Sequence, residues 1–323
     1  MTQGFRSGFV TLVGRPNVGK STLVNRLVGQ KVAIVSDRPQ TTRTAIRGVR
    51  TTPHDQIVFV DTPGLHKPRT PLGERTNQRA EATLAEVDVV CLLVEADAPI
   101  GSGDRFVAGL VQQVDTTRLL VVNKIDRAAK PAIAEHLAVA ARDLGDFDAY
   151  VPLSARTGDG VDALVGEIES RLPEGPRYYP DGTVTDQPET FVAAELVREK
   201  LLAVARDELP HSITVSVEEL EEMEDLGPER SPSQAPATAA AVGKAAAADP
   251  DDEILRLRAD ITVERDSQRG IVIGRGGRVL RDAGTAARQE LEALLGVRVY
   301  LETHVRVERD WQRRAHALDR LGY

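Results

Sequence analysis

The chain has 323 residues, 41% of them hydrophobic and 28% charged, with a net charge of −8 and a single cysteine, Cys91. That length is right for two ordinary domains. The lone thiol excludes a disulfide framework within the chain and points to the cytosol, while the acidic balance excludes a protein coated in basic surface. No apolar run reaches the length that spans a bilayer, and the start "MTQGFRSGFVTLVG" lacks the charged-then-apolar order of a signal segment. Charge is uneven: from Ile254 to Tyr323 there are 14 Arg against 10 Asp and Glu, so a local basic patch is open to the C-terminal part.

In chain order, residues 1–172 alternate apolar runs with helical spacing. "FVTLV" from Phe9, "IVFV" from Ile57, "VVCLLV" from Val89, "RLLVVN" from Arg118 and "AYVPLS" from Ala149 read as strands. Several are apolar throughout, as strands buried on both faces of a parallel sheet are. With "STLVNRLVG" and "PAIAEHLAVAARDL" as helices between them, the region is expected to be a doubly wound α/β domain with a mostly parallel sheet.

Four motifs sit at the ends of these strands. "GRPNVGKS" comprises Gly14, Arg15, Pro16, Asn17, Val18, Gly19, Lys20 and Ser21, with Thr22 following. It links a strand to a helix in the pattern of a phosphate loop. Its glycines let backbone N–H groups face phosphate oxygens at a helix N-terminus. Lys20 would reach the β- and γ-phosphates of a nucleotide, and Ser21 would ligate Mg²⁺. "DTPG" (Asp61, Thr62, Pro63, Gly64) follows the second strand. Asp61 can hold Mg²⁺ through water, and Gly64 brings an N–H to the γ-phosphate. "NKID" supplies Asn123, Lys124 and Asp126. A carboxylate there accepts two hydrogen bonds from guanine and would be left unmatched by adenine, while the Lys124 stem packs over the base. "SAR" (Ser154, Ala155, Arg156) follows the last strand and offers the Ala155 N–H to the guanine carbonyl. Each motif alone is common; all four in order point to guanine-nucleotide binding.

With these motifs on it, the region from Phe9 to about Leu172 resembles a P-loop GTPase of the translation-factor-related class. "QTTRT", Gln40 to Thr44, resembles the first switch of the branch that holds the Era and TrmE families. The resemblance implies that Thr42, rather than Thr41, closes onto Mg²⁺ when GTP is bound. Leu65 stands where a Ras-type enzyme carries the glutamine that orients the attacking water. In relatives with this replacement an Asn in the phosphate loop helps to bind K⁺, and Asn17 occupies that position. The catalytic set implied is Lys20, Thr42, Gly64 and Asn17, with Ser21, Thr42 and Asp61 at the metal.

Residues 173–189, "PEGPRYYPDGTVTDQPE", read as a linker by their Pro, Gly and Asp content. The module at 190–323 has a different order. A helix is expected over "TFVAAELVREKLLAVARDEL". Three alternating strands are expected at "SITVSVE", "LRLRADITVE" and "VRVYLETHVRV", and a closing helix at "RDWQRRAHALDRLG". An Ala-, Pro- and Ser-rich insertion at 226–252 is expected to lack structure.

Before the third strand stands "IVIGRGGRVL", an apolar start, a glycine loop and a helix. Val279 occupies the place of the last glycine of a dinucleotide loop, and no Lys-Ser follows. G-x-x-G does fit, as Gly274, Arg275, Gly276 and Gly277. In a KH domain such a loop clamps a single-stranded backbone. Gly274 and Gly277 would allow its approach, Arg275 and Arg278 would pair with phosphates, and Ile271, Val272 or Ile273 would offer apolar surface to bases. On these residues alone, a tight strand-to-helix turn with solvated arginines is an equal reading.

The whole module, with "FVAAELVREKLL", "ELPHSITVSVEE", "IVIGRGGRVLRDAGTAAR" and a terminal "LGY", resembles the C-terminal domain of the Era family, and "DTPGLHKPR" and "QTTR" match the same family. The resemblance covers nearly the whole chain. It departs at the insertion and at Arg275, where Lys is usual. It implies a type II KH domain behind a GTPase domain, slow hydrolysis of GTP, and a monomer binding single-stranded RNA near the 3′ end of 16S rRNA. It further implies action in assembly of the small (30S) ribosomal subunit and peripheral association with the membrane. The alternative is a related GTPase whose C-terminal module binds a protein or tRNA-modification partner.

Overall fold

The computed structural model describes residues 4–36, 42–65, 70–204, 212–219, 240–242 and 254–323. The chain divides into two units, Met1–Gln187 and Pro188–Gly322. In the first, the uninterrupted apolar runs form the middle of a six-stranded sheet. Its elements are β1 (Arg6–Gly14), α1 (Lys20–Val28), β2 (Ile46–Thr51), β3 (Asp55–Asp61), α2 (Pro71–Glu86), β4 (Val89–Glu95), α3 (Ser102–Val111), β5 (Thr117–Asn123), α4 (Lys130–Leu144), β6 (Ala149–Pro152) and α5 (Val161–Glu169). The strand order is β2-β3-β1-β4-β5-β6. β2 is antiparallel to β3, and the other neighbours are parallel. Val10, Leu12, Ile57, Val58, Leu92, Leu93, Leu120 and Val121 are fully buried, which matches strands covered on both faces. This arrangement delivers the C-terminal ends of β1, β3, β5 and β6 to one edge of the sheet, where ligands of open α/β sheets bind.

β2 was not legible as a strand. Its sequence IRGVRT is half polar, and its burial follows an edge position rather than a core one. The expected linker also differs. Rather than running free, residues 174–187 lie against the first unit, with antiparallel bridges from Glu174 to Arg6 and from Thr185 to Gly48. The Gln56 side chain, fully buried, accepts from the Tyr178 and Tyr179 N–H groups (2.7 and 3.0 Å) and donates to the Tyr179 carbonyl (2.9 Å). Composition marks the segment as irregular, but its backbone groups find partners along the sheet edge.

The second unit contains α6 (Glu189–Val204), β7 (Thr214–Glu219), β8 (Ala240–Val242), β9 (Ile254–Val263), α7 (Asp266–Ile273), α8 (Arg278–Leu295), β10 (Arg298–Val307) and α9 (Ala315–Arg320). Setting β8 and α9 aside, the order α-β-β-α-α-β is that expected of the type II KH arrangement. β9 and β10 are parallel, with β7 antiparallel on one side and β8 antiparallel on the other. The predicted inward face holds: Leu257, Ala259, Ile261 and Val263 pack with Leu201, Leu280, Leu291 and Leu301.

One expectation needs correction, and one open reading closes. The apolar "IVI" is the last turn of α7, so the glycine loop joins two helices and is not a strand-to-helix turn. Gln268 and Val272, four residues apart, are the buried positions of this helix, a helical spacing. Its N-terminus is tied by the Gln268 side chain, which accepts from the Glu264 and Arg265 N–H groups at 2.9 and 3.1 Å. The sheet has four described strands rather than three, because Ala240–Val242, inside the insertion, pairs with Leu301–Thr303 of β10. An open strand edge takes any extended segment whose backbone can reach it. The rest of 226–252 lies outside the described residues. Among the described residues, no helix is long and apolar enough to cross a membrane.

Candidate functional site

A cleft of about 410 Å³ opens at the sheet edge of the first unit. Its lining unites three of the four motifs with Gly64 of the fourth: Pro16, Asn17, Gly19, Lys20, Ser21 and Thr22; Gly64; Asn123, Lys124 and Asp126; Ala155 and Arg156. Thr42 lines it as well, whereas Gln40 and Thr41 lie outside the described residues. Ile34, Val35, Ser36 and Arg127 also line it. They belong to no motif, and sequence reading missed them.

The phosphate loop leaves β1 and turns into α1 at Gly19, whose φ of 100° is left-handed. A Cβ there would stand 2.3 Å from Asn123 Nδ2, so only glycine fits both the conformation and the space. Lys20 Nζ folds back over the loop and donates to the carbonyls of Gly14 (3.1 Å) and Arg15 (3.0 Å). Burial lowers the pKa of Lys20 to about 8, with the negative charge of Asp61 opposing the shift. Val18 is fully buried, and its carbonyl accepts from Asn123 Nδ2 at 2.8 Å.

The three predicted metal ligands meet at one point. Asp61 Oδ2 accepts from Ser21 Oγ at 2.8 Å and from Thr42 Oγ1 at 3.2 Å, and the two hydroxyls are 3.1 Å apart. Thr62 is used internally, donating to the Leu12 carbonyl at 3.0 Å, and Pro63 is buried. Gly64 abuts Pro16: a Cβ on Gly64 would lie 3.0 Å from the Pro16 nitrogen. Leu65 is buried among Val13, Ala80 and Leu84, so its side chain belongs to the core.

At the base end, Asn123 acts as a clip. Its Oδ1 accepts from the Lys124 N–H (2.8 Å) and the Ala155 N–H (2.9 Å). The Ala155 N–H, expected to face guanine, is therefore engaged by Asn123 in this structure. Ser154 Oγ donates to Asp126 Oδ1 at 2.7 Å, and Arg156 Nη2 lies 2.7 Å from Asp126 Oδ2. The Ser154 hydrogen bond holds the Asp126 carboxyl below the usual carboxylate range against the opposing effect of burial, with smaller help from Arg156 and Arg127. Asp126 is thus ionised and able to accept. Arg15 points elsewhere: its side chain reaches Asp104 (2.6 Å) and Glu95 (3.1 Å).

In the second unit, the three glycines of "GRGG" are all left-handed, with φ of 72°, 62° and 73° for Gly274, Gly276 and Gly277. The loop lies between α7 and α8. Arg275, Gly276 and Arg278 are exposed. Ile271 is 43% exposed, Val272 is buried, and Ile273 packs on the core, so Ile271 is the apolar side chain left at the surface beside the loop. Arg278 lies 3.5 Å from Asp282, both well exposed, a pair of little energetic weight.

Residues 9–124 match the family described as 50S ribosome-binding GTPase, and residues 239–312 match the KH domain. GTPase Era of Mycolicibacterium smegmatis is 46% identical over 321 residues, covering 99% of each chain. GTPase Era of a Nocardioides species is 48% identical over 324 residues, covering 98% of this chain and 96% of that one. Among solved structures, a variant of Aquifex aeolicus Era bound to GDP·AlF₄⁻ is similar with a TM-score of 0.86 at 34% identity, covering 99% of both chains. Era in complex with MgGDPNP and nucleotides 1506–1542 of 16S ribosomal RNA has the same TM-score of 0.86, identity of 34% and coverage of 99%. With identity at this level sustained over both units, the chain belongs to the Era family of GTPases.

Proposed function

We propose that this chain binds GTP, hydrolyses it to GDP and phosphate, and uses its KH unit to bind single-stranded rRNA near the 3′ end of 16S rRNA during assembly of the small (30S) subunit. The observation that carries the reading is the union, in one chain, of a guanine-type cleft with an exposed G-x-x-G turn beside Ile271. The solved Era complex with MgGDPNP and nucleotides 1506–1542 of 16S ribosomal RNA supports it, since that chain is alike over both units.

Within this reading each part of the cleft has a task. Asp126 accepts from the base edge, and Lys124 packs its stem on the base face. The N–H groups of the loop and the Lys20 ammonium hold the β- and γ-phosphates. The hydroxyls of Ser21 and Thr42 and the Asp61 carboxylate are hard oxygen donors, the set that fits Mg²⁺. The bound ion would neutralise phosphate charge as it builds in the transition state. The Gly64 N–H approaches the γ-phosphate. Leu65 cannot orient water, so K⁺ held near Asn17 is the proposed source of additional positive charge. Equal hydrolysis rates in K⁺ and Na⁺ buffers would remove that ion from the scheme.

Crosslinking of the chain to cellular RNA tests the RNA half, with Gly277→Asp as the control. An acidic side chain in the loop repels phosphate and strains a left-handed backbone, so a loss of about tenfold or more in crosslinked RNA is expected. Crosslinking that survives Gly277→Asp unchanged would favour the alternative, a C-terminal module that binds a protein or tRNA-modification partner.

A further inference from the structure

A cluster of charges stands behind the cleft, and of its members only Lys124 lines it. Glu95 ends β4, and the parallel register with β5 sets it opposite Asn123, next to Lys124. Its carboxylate takes the Lys124 ammonium on one oxygen and the Arg15 guanidinium on the other, the latter at 3.1 Å. Arg15 also reaches Asp104 Oδ1 at 2.6 Å, and the second Asp104 oxygen accepts from the Gly101 N–H at 2.9 Å at the start of α3. Lys124 Nζ donates to the Asn17 carbonyl at 2.9 Å. The Glu95 and Asp104 side chains are 15% and 2% exposed. One carboxylate therefore ties two points of the phosphate loop, Arg15 directly and Asn17 through Lys124, to the motif that reads the base.

The loop needs such ties. Asn17 holds a φ of 68° and Lys124 a φ of 66°, left-handed conformations that side chains disfavour and that persist when the surroundings over-determine them. The Glu95 side chain is absent from the cleft lining, so it acts through its partners and not on a ligand. We propose that Glu95 is a positioning residue that holds the phosphate loop and the guanine motif as one preorganised unit and so sets nucleotide affinity. This rests on the guanine-nucleotide reading of the cleft. A loop fixed before the phosphates arrive does not have to be ordered at their expense, and charge-assisted contacts in a shielded place are strong enough to do this.

The test is titration of fluorescently labelled GDP into the full-length chain and its Glu95→Gln variant. Removing the charge at constant shape raises Kd by about tenfold. Asp126 reads the base edge independently, so the ratio of GDP to IDP affinity stays as in the wild type. For GTP hydrolysis, KM rises while kcat stays within about twofold, the pattern of lost uniform binding. In an Arg15→Met/Lys124→Met background, which removes both partners, adding Glu95→Gln changes Kd by less than about twofold. Arg15→Met alone is the second variant should Glu95→Gln fail to fold, and it raises Kd by about fivefold. A variant Kd equal to that of the wild type, or the full loss persisting in the double-variant background, overturns the inference. Failure of the wild-type chain to bind labelled GDP overturns the guanine reading itself, and the inference with it.

Discussion

At Gly19 and at Gly277, a left-handed glycine opens a helix without a side-chain cap, with φ of 100° and 73°. Beyond that shared backbone device the two loops differ in almost every fitting. The first is enclosed: Lys20 is bonded to two loop carbonyls, Asn123 holds the Val18 carbonyl, and Glu95 grips Arg15. The second stands at the surface with exposed arginines and Ile271 beside it. Enclosure suits a small ligand whose phosphates are met by groups already in place, in surroundings where each electrostatic contact is strong. Exposure suits a long polyanion that passes over the loop and is drawn by screened charge. The two loops thus show that glycines set where a backbone can go, while the neighbours decide what it will hold.

The enclosed side breaks hardest at Asp126. An Asn there keeps the size and can still accept from the guanine N1–H, but it turns an N–H₂ group toward the 2-amino donor, leaving buried groups mismatched. Guanine-nucleotide affinity is expected to fall by at least about a hundredfold. Affinity for xanthine nucleotides, which carry an acceptor in place of the 2-amino group, is expected to rise. Competition binding with GDP and XDP checks both, and a variant that still prefers GDP would contradict the assignment of Asp126 to the base edge. The RNA affinity of the isolated nucleotide-free chain is expected to be unchanged, which sharpens the contrast between the loops.

How far these two sites could be read in advance follows from the same contrast. The nucleotide motifs were legible because each is contiguous and ends an apolar strand, so spacing alone placed Lys20, Asp61, Asp126 and Ala155 at one sheet edge. Glu95 and Asp104 were not legible, since a carboxylate at a strand end or in a first helical turn is ordinary until the structure sets it against Arg15. The strand face of β9 was read correctly from its alternation. The helix that ends in "IVI" was not legible, because three apolar residues carry no period of their own. Gln268, whose side chain fixes the helix start, lies upstream of the run that drew attention. β8 escaped because its partner, the open edge of β10, is a tertiary fact, and composition spoke for disorder.

A subtler break on the enclosed side comes from proton uptake at Lys20. Burial lowers its pKa to about 8, below the unfolded value. The folded state therefore bears the cost of a buried charge below pH 8, and stability rises as pH climbs from about 8 toward 10.5. Phosphates at the site favour the charged lysine and raise its pKa again. Binding at pH 8.5 should then take up a fraction of a proton, and affinity should decline with pH above 8 by at most about tenfold per unit. Calorimetry of GDP binding in two buffers of different ionisation heat measures this uptake directly. Uptake equal at pH 7 and at pH 8.5 would mean that Lys20 is already charged throughout.

The smallest effect probes the exposed side. Arg275 is solvated and its charge is screened, so its contact with a phosphate is worth little by comparison with Asp126. Arg275→Gln is expected to weaken binding of single-stranded RNA by about threefold at physiological salt. More diagnostic is the salt slope: removing one of the phosphate-pairing charges should reduce it by about 0.7, the single-strand value per phosphate. The loss should be uniform across RNA sequences, because a backbone contact carries no base information. Fluorescence anisotropy at several salt concentrations with two unrelated RNAs separates the cases. A loss confined to one sequence, with the slope intact, would place Arg275 on a base instead of the backbone. The exposed loop would then share with the enclosed one the task of selecting its ligand, and the division drawn between them would fail at that residue.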